Sequence, residues 1–102
     1  MSGPQPNEPI LMMDAWLWNG QQRMPGVIQL LPGRIRFQPA DFPDSHLSLE
    51  IPLSEVEEVD SFLVFNISRL GLLVRSRDGR SDRFILADPE AFRKALNQAL
   101  GR

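Results

Sequence analysis

The chain has 102 residues, enough for one domain that buries roughly 60–68% of the surface its unfolded form exposes. Its 11 basic and 13 acidic side chains leave a formal net charge of −2, which argues against nucleic-acid binding, a task that calls for a net basic face. It has no cysteine, so disulfide frameworks and thiolate metal sites are excluded and a reducing, cytoplasmic setting is expected.

The opening residues MSGPQPNEP combine prolines with no hydrophobic period, and residues 1–10 are expected to form a loose tail ahead of a single domain over 11–102. They have neither the basic nor the apolar region of a secretion signal. The longest apolar runs, such as FLVF at 62–65, fall far short of the roughly 18 residues a membrane-spanning helix needs. A first strand is predicted over about residues 12–18, read from MDAWLWN, with a turn at Asn19-Gly20. GVIQLL and RIRFQ follow as a hairpin joined by Pro32-Gly33, in which proline presets the first turn residue and glycine accepts the positive φ of the second. A two-residue link sets Leu30 opposite Ile35 and Ile28 opposite Phe37. One face is then apolar, and Gln29, Arg34, Arg36 and Gln38 occupy the other.

Residues 39–46, PADFPDSH, read as a loop, and LSLEIPL as a strand that Pro52 confines to an edge or a bulge. Residues 55–67 predict another strand, with a bulge where the alternation slips between Val56 and Val59. Its end, FLVFNI, is apolar on both faces, as a central or doubly covered strand would be. The stretch LGLLVRSRDGRSDRFIL predicts a second hairpin. A three-residue loop, Arg77-Asp78-Gly79, sets Leu72 opposite Phe84 and gathers the apolar residues on one side. It also gives Gly79 the left-handed position that a type I turn with a G1 bulge requires. Arg75 and Arg83 then face away from the core beside Leu73 and Ile85. In ADPEAFRKALNQALGR, Asp88 is an N-cap, Pro89 fits the first helical position, and Phe92, Ala95, Leu96, Ala99 and Leu100 share a face at helical spacing.

Strands come first and one amphipathic helix closes the chain, so the fold class is mainly β with a C-terminal α-helix that stops the open end of a small barrel. The order GVIQLLPGRIRFQP, LEIPLSEVEEV, GLLVRSRDGRSDRFIL, then the helix with Phe92, resembles the PH-like superfold, in particular its GRAM and bacterial PH-like branch. The resemblance spans about residues 12–100. It implies about seven antiparallel strands in two nearly orthogonal sheets capped by the helix. It also implies a module that binds lipid head groups, peptides or protein domains and is generally not an enzyme. Phosphoinositide-binding PH domains carry a basic cluster at the first strand-to-strand loop and the next strand. Here that loop, NGQQRMPG, offers only Arg23, and Arg34-Ile35-Arg36 comes one strand later, a departure from the lipid signature.

Candidate partner- or lipid-binding residues are Arg34, Arg36, Arg75, Arg77, Arg80 and Arg83, because guanidinium groups hold phosphate or carboxylate bidentately. The plainer alternative for the hairpin arginines is charge pairing with Glu57, Glu58 or Asp60 on the acidic strand before them. Trp16 and Trp18 share one strand face and suit either core packing or aromatic anchoring of a partner. His46, the one histidine, makes a poor metal set with Asp41 and Asp44 and reads as a solvated loop residue. Glu57 and Glu58 are neighbours on a strand and point to opposite faces, so they make no acid–base pair. With no cofactor, metal or catalytic set expected, the reading is a non-catalytic adaptor that binds a protein, a second copy included. Peripheral association with anionic lipid is the alternative, and a small-ligand site between the sheet and the 39–46 loop is a third.

Overall fold

A computed structural model of the chain describes residues 9–18, 22–40, 48–64 and 67–101; side chains of 63–70 are outside that description. The strands are β1 (Leu11–Trp18), β2 (Arg23–Leu31), β3 (Arg34–Pro39), β4 (Leu49–Pro52), β5 (Val56–Val64), β6 (Ile67–Ser76) and β7 (Ser81–Leu86), followed by α1 (Pro89–Ala99). A 3-10 turn, Leu53–Glu55, separates β4 from β5. Residues 1–8 of the expected tail, the Asn19-Gly20 turn, Phe65 and His46 with its two aspartates lie outside the described residues, and Ile10, at the end of that expected tail, donates its amide to the Leu30 carbonyl at 2.7 Å.

Every pairing is antiparallel, and the strands run in the order β4-β3-β2-β1-β7-β6-β5 as one continuous sheet. The two halves that the resemblance implies are joined at β1. This strand pairs with β2 over all eight of its residues and with β7 only from Ala15 to Trp18, against Leu86 to Arg83. A second link between the halves is the corner around the 3-10 turn, where the Leu53 amide donates to the Gly33 carbonyl and the Arg77 amide to the Glu55 carbonyl.

Both hairpins turn as their glycines demand. Gly33 has φ 88° and Leu30 faces Ile35. Gly79 has φ 92°, its amide donates to the Ser76 carbonyl at 3.0 Å, and the Ser76 amide donates to the Arg80 carbonyl at 2.8 Å. That is the three-residue loop with Leu72 opposite Phe84. The bulge falls between Val56 and Glu58, inside the expected interval. For FLVFNI the central alternative is corrected. Its first residues end β5, an edge strand, and Ile67 already belongs to β6. Its two-sided apolar character comes from a side chain on the outer face, described below, and not from a central place in the sheet.

The core is the concave face. Ile28, Leu30, Ile35, Phe37, Ile51, Leu72, Val74, Phe84 and Leu86 meet there, and Phe92 and Leu96 of α1 close it. The helix starts where Asp88 Oδ1 accepts from the Ala91 amide at 3.1 Å, with Pro89 in the first turn, and it packs against β6, β2 and β7. Arg93 Nη1 donates to Ser61 Oγ at 3.3 Å and ties the helix to β5. Each fully buried Leu or Phe contributes roughly 1.5–3 kcal/mol relative to exposure, so the apolar stripe of α1 holds the cap in place.

Candidate functional site

A strand presents alternate side chains to opposite faces. On β1, Leu11, Met13, Ala15 and Leu17 turn to the core. Met12, Asp14, Trp16 and Trp18 therefore turn outward, as does Ile10 just before the strand. Among the described residues Ile10, Met12, Trp16 and Met24 are the large apolar side chains that stay exposed, and three of these four belong to that one outward row.

Register extends the row across the sheet. Trp16 stands opposite Pro25 of β2 and Ile85 of β7, Ile85 opposite Gly71 of β6, and Gly71 opposite Phe62 of β5. Glycine at 71 has a packing reason, since a Cβ there would stand only 2.6 Å from Phe62 Cε1. The Phe62 ring lies across the glycine and reaches Trp18, with ring centroids 6.0 Å apart and planes tilted by 31°. Offset aromatic pairs of this kind contribute about 0.5–1.5 kcal/mol beyond their buried area. Ile85, expected to be an exposed outer residue, is only 4% exposed because this outer layer surrounds it. The tryptophans thus belong to an aromatic layer on the outside of the sheet, and the core-packing expectation for them is corrected.

Beside Trp16 the layer opens into a cleft of about 310 Å³ over β7, β1 and β2. Its walls are Trp16, Pro25, Val27, Ala40 and Ile85, and among the described residues Asp14 is the one ionisable residue in its lining. The Asp14 side chain is exposed and has no ion pair or hydrogen bond among the described residues. Ala40 precedes residues 41–47, so the rest of the expected loop site lies outside the described residues.

The six candidate arginines do not form one cluster. Arg34 and Arg36 stand on β3, with β2 and β1 between them and the β6–β7 hairpin. Arg34 Nε lies 3.2 Å from Glu50 Oε1, within ion-pair reach although not aligned as a hydrogen bond, and Arg36 Nη2 donates to Gln38 Oε1 at 3.2 Å. On the hairpin, Arg75 Nη1 pairs with Glu58 Oε2 at 3.1 Å, Arg77 Nε donates to the Ser54 carbonyl at 3.1 Å, and Arg80 Nε pairs with Asp82 Oδ2 at 3.2 Å. The charge-paired alternative therefore describes Arg75, with Glu58 as the partner. Asp82 faces the core side opposite Val74; its burial pushes the carboxyl above the ordinary range, with Arg80 pulling the other way.

Arg83 alone of the six is without a polar partner among the described residues. It is exposed and stands opposite Trp18 in register. Arg23, the one basic residue of the NGQQRMPG loop, has its Cζ 5.8 Å from the Trp16 ring centroid. The outer site therefore combines Trp16, Trp18, Phe62, Ile85, Arg23, Arg83 and Asp14. Phe62 and Asp14 were missed from the sequence. The available signal was the two-sided apolar character of ILMMDAWLW, which matches that of FLVFNI.

No family model matches the sequence, and no curated protein matches it. Solved structures do match in fold. The C-terminal domain of a Leishmania infantum protein superimposes with a TM-score of 0.78 at 10% identity, over 92% of this chain and 84% of that one. The Vps36 N-terminal PH domain does so with a TM-score of 0.76 at 20% identity, over 92% of this chain and 79% of that one. Seven antiparallel strands closed by one C-terminal helix, together with these likenesses, establish a PH-like fold.

Proposed function

We propose that the chain is a non-catalytic adaptor module, of the GRAM-like kind its segment order resembles, that holds a protein partner on the outer face of β7, β1 and β2. The observation that carries this reading is the aromatic layer of Trp16, Trp18 and Phe62 on a sheet face that no second layer covers among the described residues. Keeping Trp16 38% exposed and Met12 54% exposed forgoes hydrophobic stabilisation that burial in a partner would recover. Trp and Arg are the side chains that most often anchor protein interfaces, and Arg83 is uncommitted beside Trp18. The PH-like fold, which the chain shares with the Vps36 N-terminal PH domain, supports a binding module.

The test is selection of a displayed library of 16-residue peptides on the full chain and on its Trp16→Ala variant. Peptides enriched by the first and lost by the second support the reading; equal enrichment by both removes it. Sedimentation equilibrium of the free chain separates a second copy from an unrelated partner, because a self-partner dimerises and Trp16→Ala abolishes the dimer.

Anionic lipid is the second reading, favoured by Arg23 and Arg83 beside the two tryptophans, an arrangement that suits a membrane interface. Co-sedimentation with phosphatidylserine vesicles that weakens with salt and with Arg83→Glu would put lipid in the partner's place.

A further inference from the structure

We infer that the cleft beside Trp16 selects a partner segment carrying a lysine or arginine next to an apolar side chain, with the cation seated on Asp14. The inference rests on the protein-binding reading and assigns the chemistry of the bound segment.

The cleft walls are apolar, and among the described residues Asp14 is the one ionisable group in the lining. Its carboxylate has no ion pair among the described residues and stands exposed. An uncharged apolar segment laid over the cleft would strip water from that carboxylate and return nothing, which is among the most expensive events at an interface. A segment that brings a cation avoids this penalty and gains a charge-assisted hydrogen bond.

Trp16 completes the recognition. Asp14 and Trp16 are two residues apart on one strand face, a separation of about 7 Å. A lysine or arginine stem is long enough to lie along the indole while its head reaches the carboxylate. The apolar neighbour of the cation fills the depression between Pro25, Val27 and Ile85.

The same face fixes the direction of the segment. Arg83 stands at Trp18, four residues along β1 from Asp14 and about 13 Å away. That end repels a second cation and accepts a carboxylate. The surface is therefore acidic at one end and basic at the other, and a bound segment with charges in the opposite order is disfavoured.

The experiment takes peptides enriched on the full chain in a Trp16-dependent way and measures their affinities by fluorescence anisotropy. Lysine or arginine beside an apolar residue should recur among them. Asp14→Asn should weaken binding roughly tenfold, and raising salt should weaken the parent complex more than the Asp14→Asn complex. Selection on Asp14→Lys should replace the basic position by an acidic one. Asp14 is exposed, so unchanged melting temperatures will show that these variants fold. Trp16-dependent peptides that lack a basic residue, or that bind Asp14→Asn as tightly as the parent, overturn the inference and leave the adaptor reading standing. Vesicle binding with no Trp16-dependent peptide overturns both.

Discussion

The same device occurs on both sides of this sheet, and the two copies do different work. On the inner face Gly26 lies beneath Phe37, where an added Cβ would stand 2.6 Å from the ring Cζ and also strike the Gln38 carbonyl. On the outer face Gly71 lies beneath Phe62, and the three atoms nearest an added Cβ all belong to that ring. In each case a glycine in a strand interior, normally unfavourable, is covered by an aromatic ring from the neighbouring strand. Phe37 continues into a closed core, 6.0 Å from Phe84 and 1% exposed. Phe62 continues to Trp18 and then to open surface. A ring over glycine is thus a packing unit indifferent to which face it serves. The covering layer above it decides whether it stabilises the fold or presents a platform.

Truncating the two rings should separate these roles most widely. Phe37→Ala is expected to lose about 3–5 kcal/mol in urea unfolding, by lost transfer energy and a cavity, whereas Phe62→Ala should lose about 1 kcal/mol and abolish Trp16-dependent peptide binding. Equal losses would erase the distinction. The glycines come next. Gly26→Ala should cost about 3 kcal/mol because a backbone carbonyl cannot yield, and Gly71→Ala about 1 kcal/mol because the Phe62 ring swings into solvent. Circular-dichroism melts of the pair will rank them. Asp88→Ala removes the helix cap, with an expected loss of about 1 kcal/mol and unchanged peptide affinity, since α1 closes only the inner face.

The smallest effect is a pH dependence. Burial raises the Asp82 carboxyl above its ordinary value. The folded chain therefore takes up this proton before the unfolded chain, and the contribution to stability rises as pH falls from the raised value to the ordinary one. Above that window the buried charge is a burden that Asp82→Asn should relieve. Chemical denaturation at stepped pH checks this, and a slope of the opposite sign at this site would mean that the Arg80 pair outweighs burial.

Much of the inner face was legible because several local rules agreed there. Pro32-Gly33 and Asp78-Gly79 each demand a left-handed residue, and the hydrophobic alternation around them fits one loop length each. Asp88, Pro89 and the period of Phe92 and Leu96 mark the helix in the same way. The outer face was less legible. Alternation reveals that Trp16 and Trp18 share a side and does not reveal which side of β1 is covered, because both are apolar. Place in the sheet is also a long-range property. FLVFNI reads from its composition as a central or doubly covered strand, yet β5 pairs on one side only among the described residues. The arginines divide for a similar reason: Arg75 meets Glu58 through a bulge that shifts register by one, whereas no carboxylate faces Arg83 across β1.

The short β1–β7 junction has a mechanical consequence. Four register pairs and the Ala87 amide on the Asp14 carbonyl clasp the halves together at mid-sheet, and Trp16 and Trp18 ride on two of the β1 positions involved. Whatever settles over those indoles also splints the clasp. Occupancy should therefore slow amide exchange at Ala15–Trp18 and at Arg83–Leu86 before it slows exchange anywhere else, which makes the place where the sheet would first part the place where a guest is first felt.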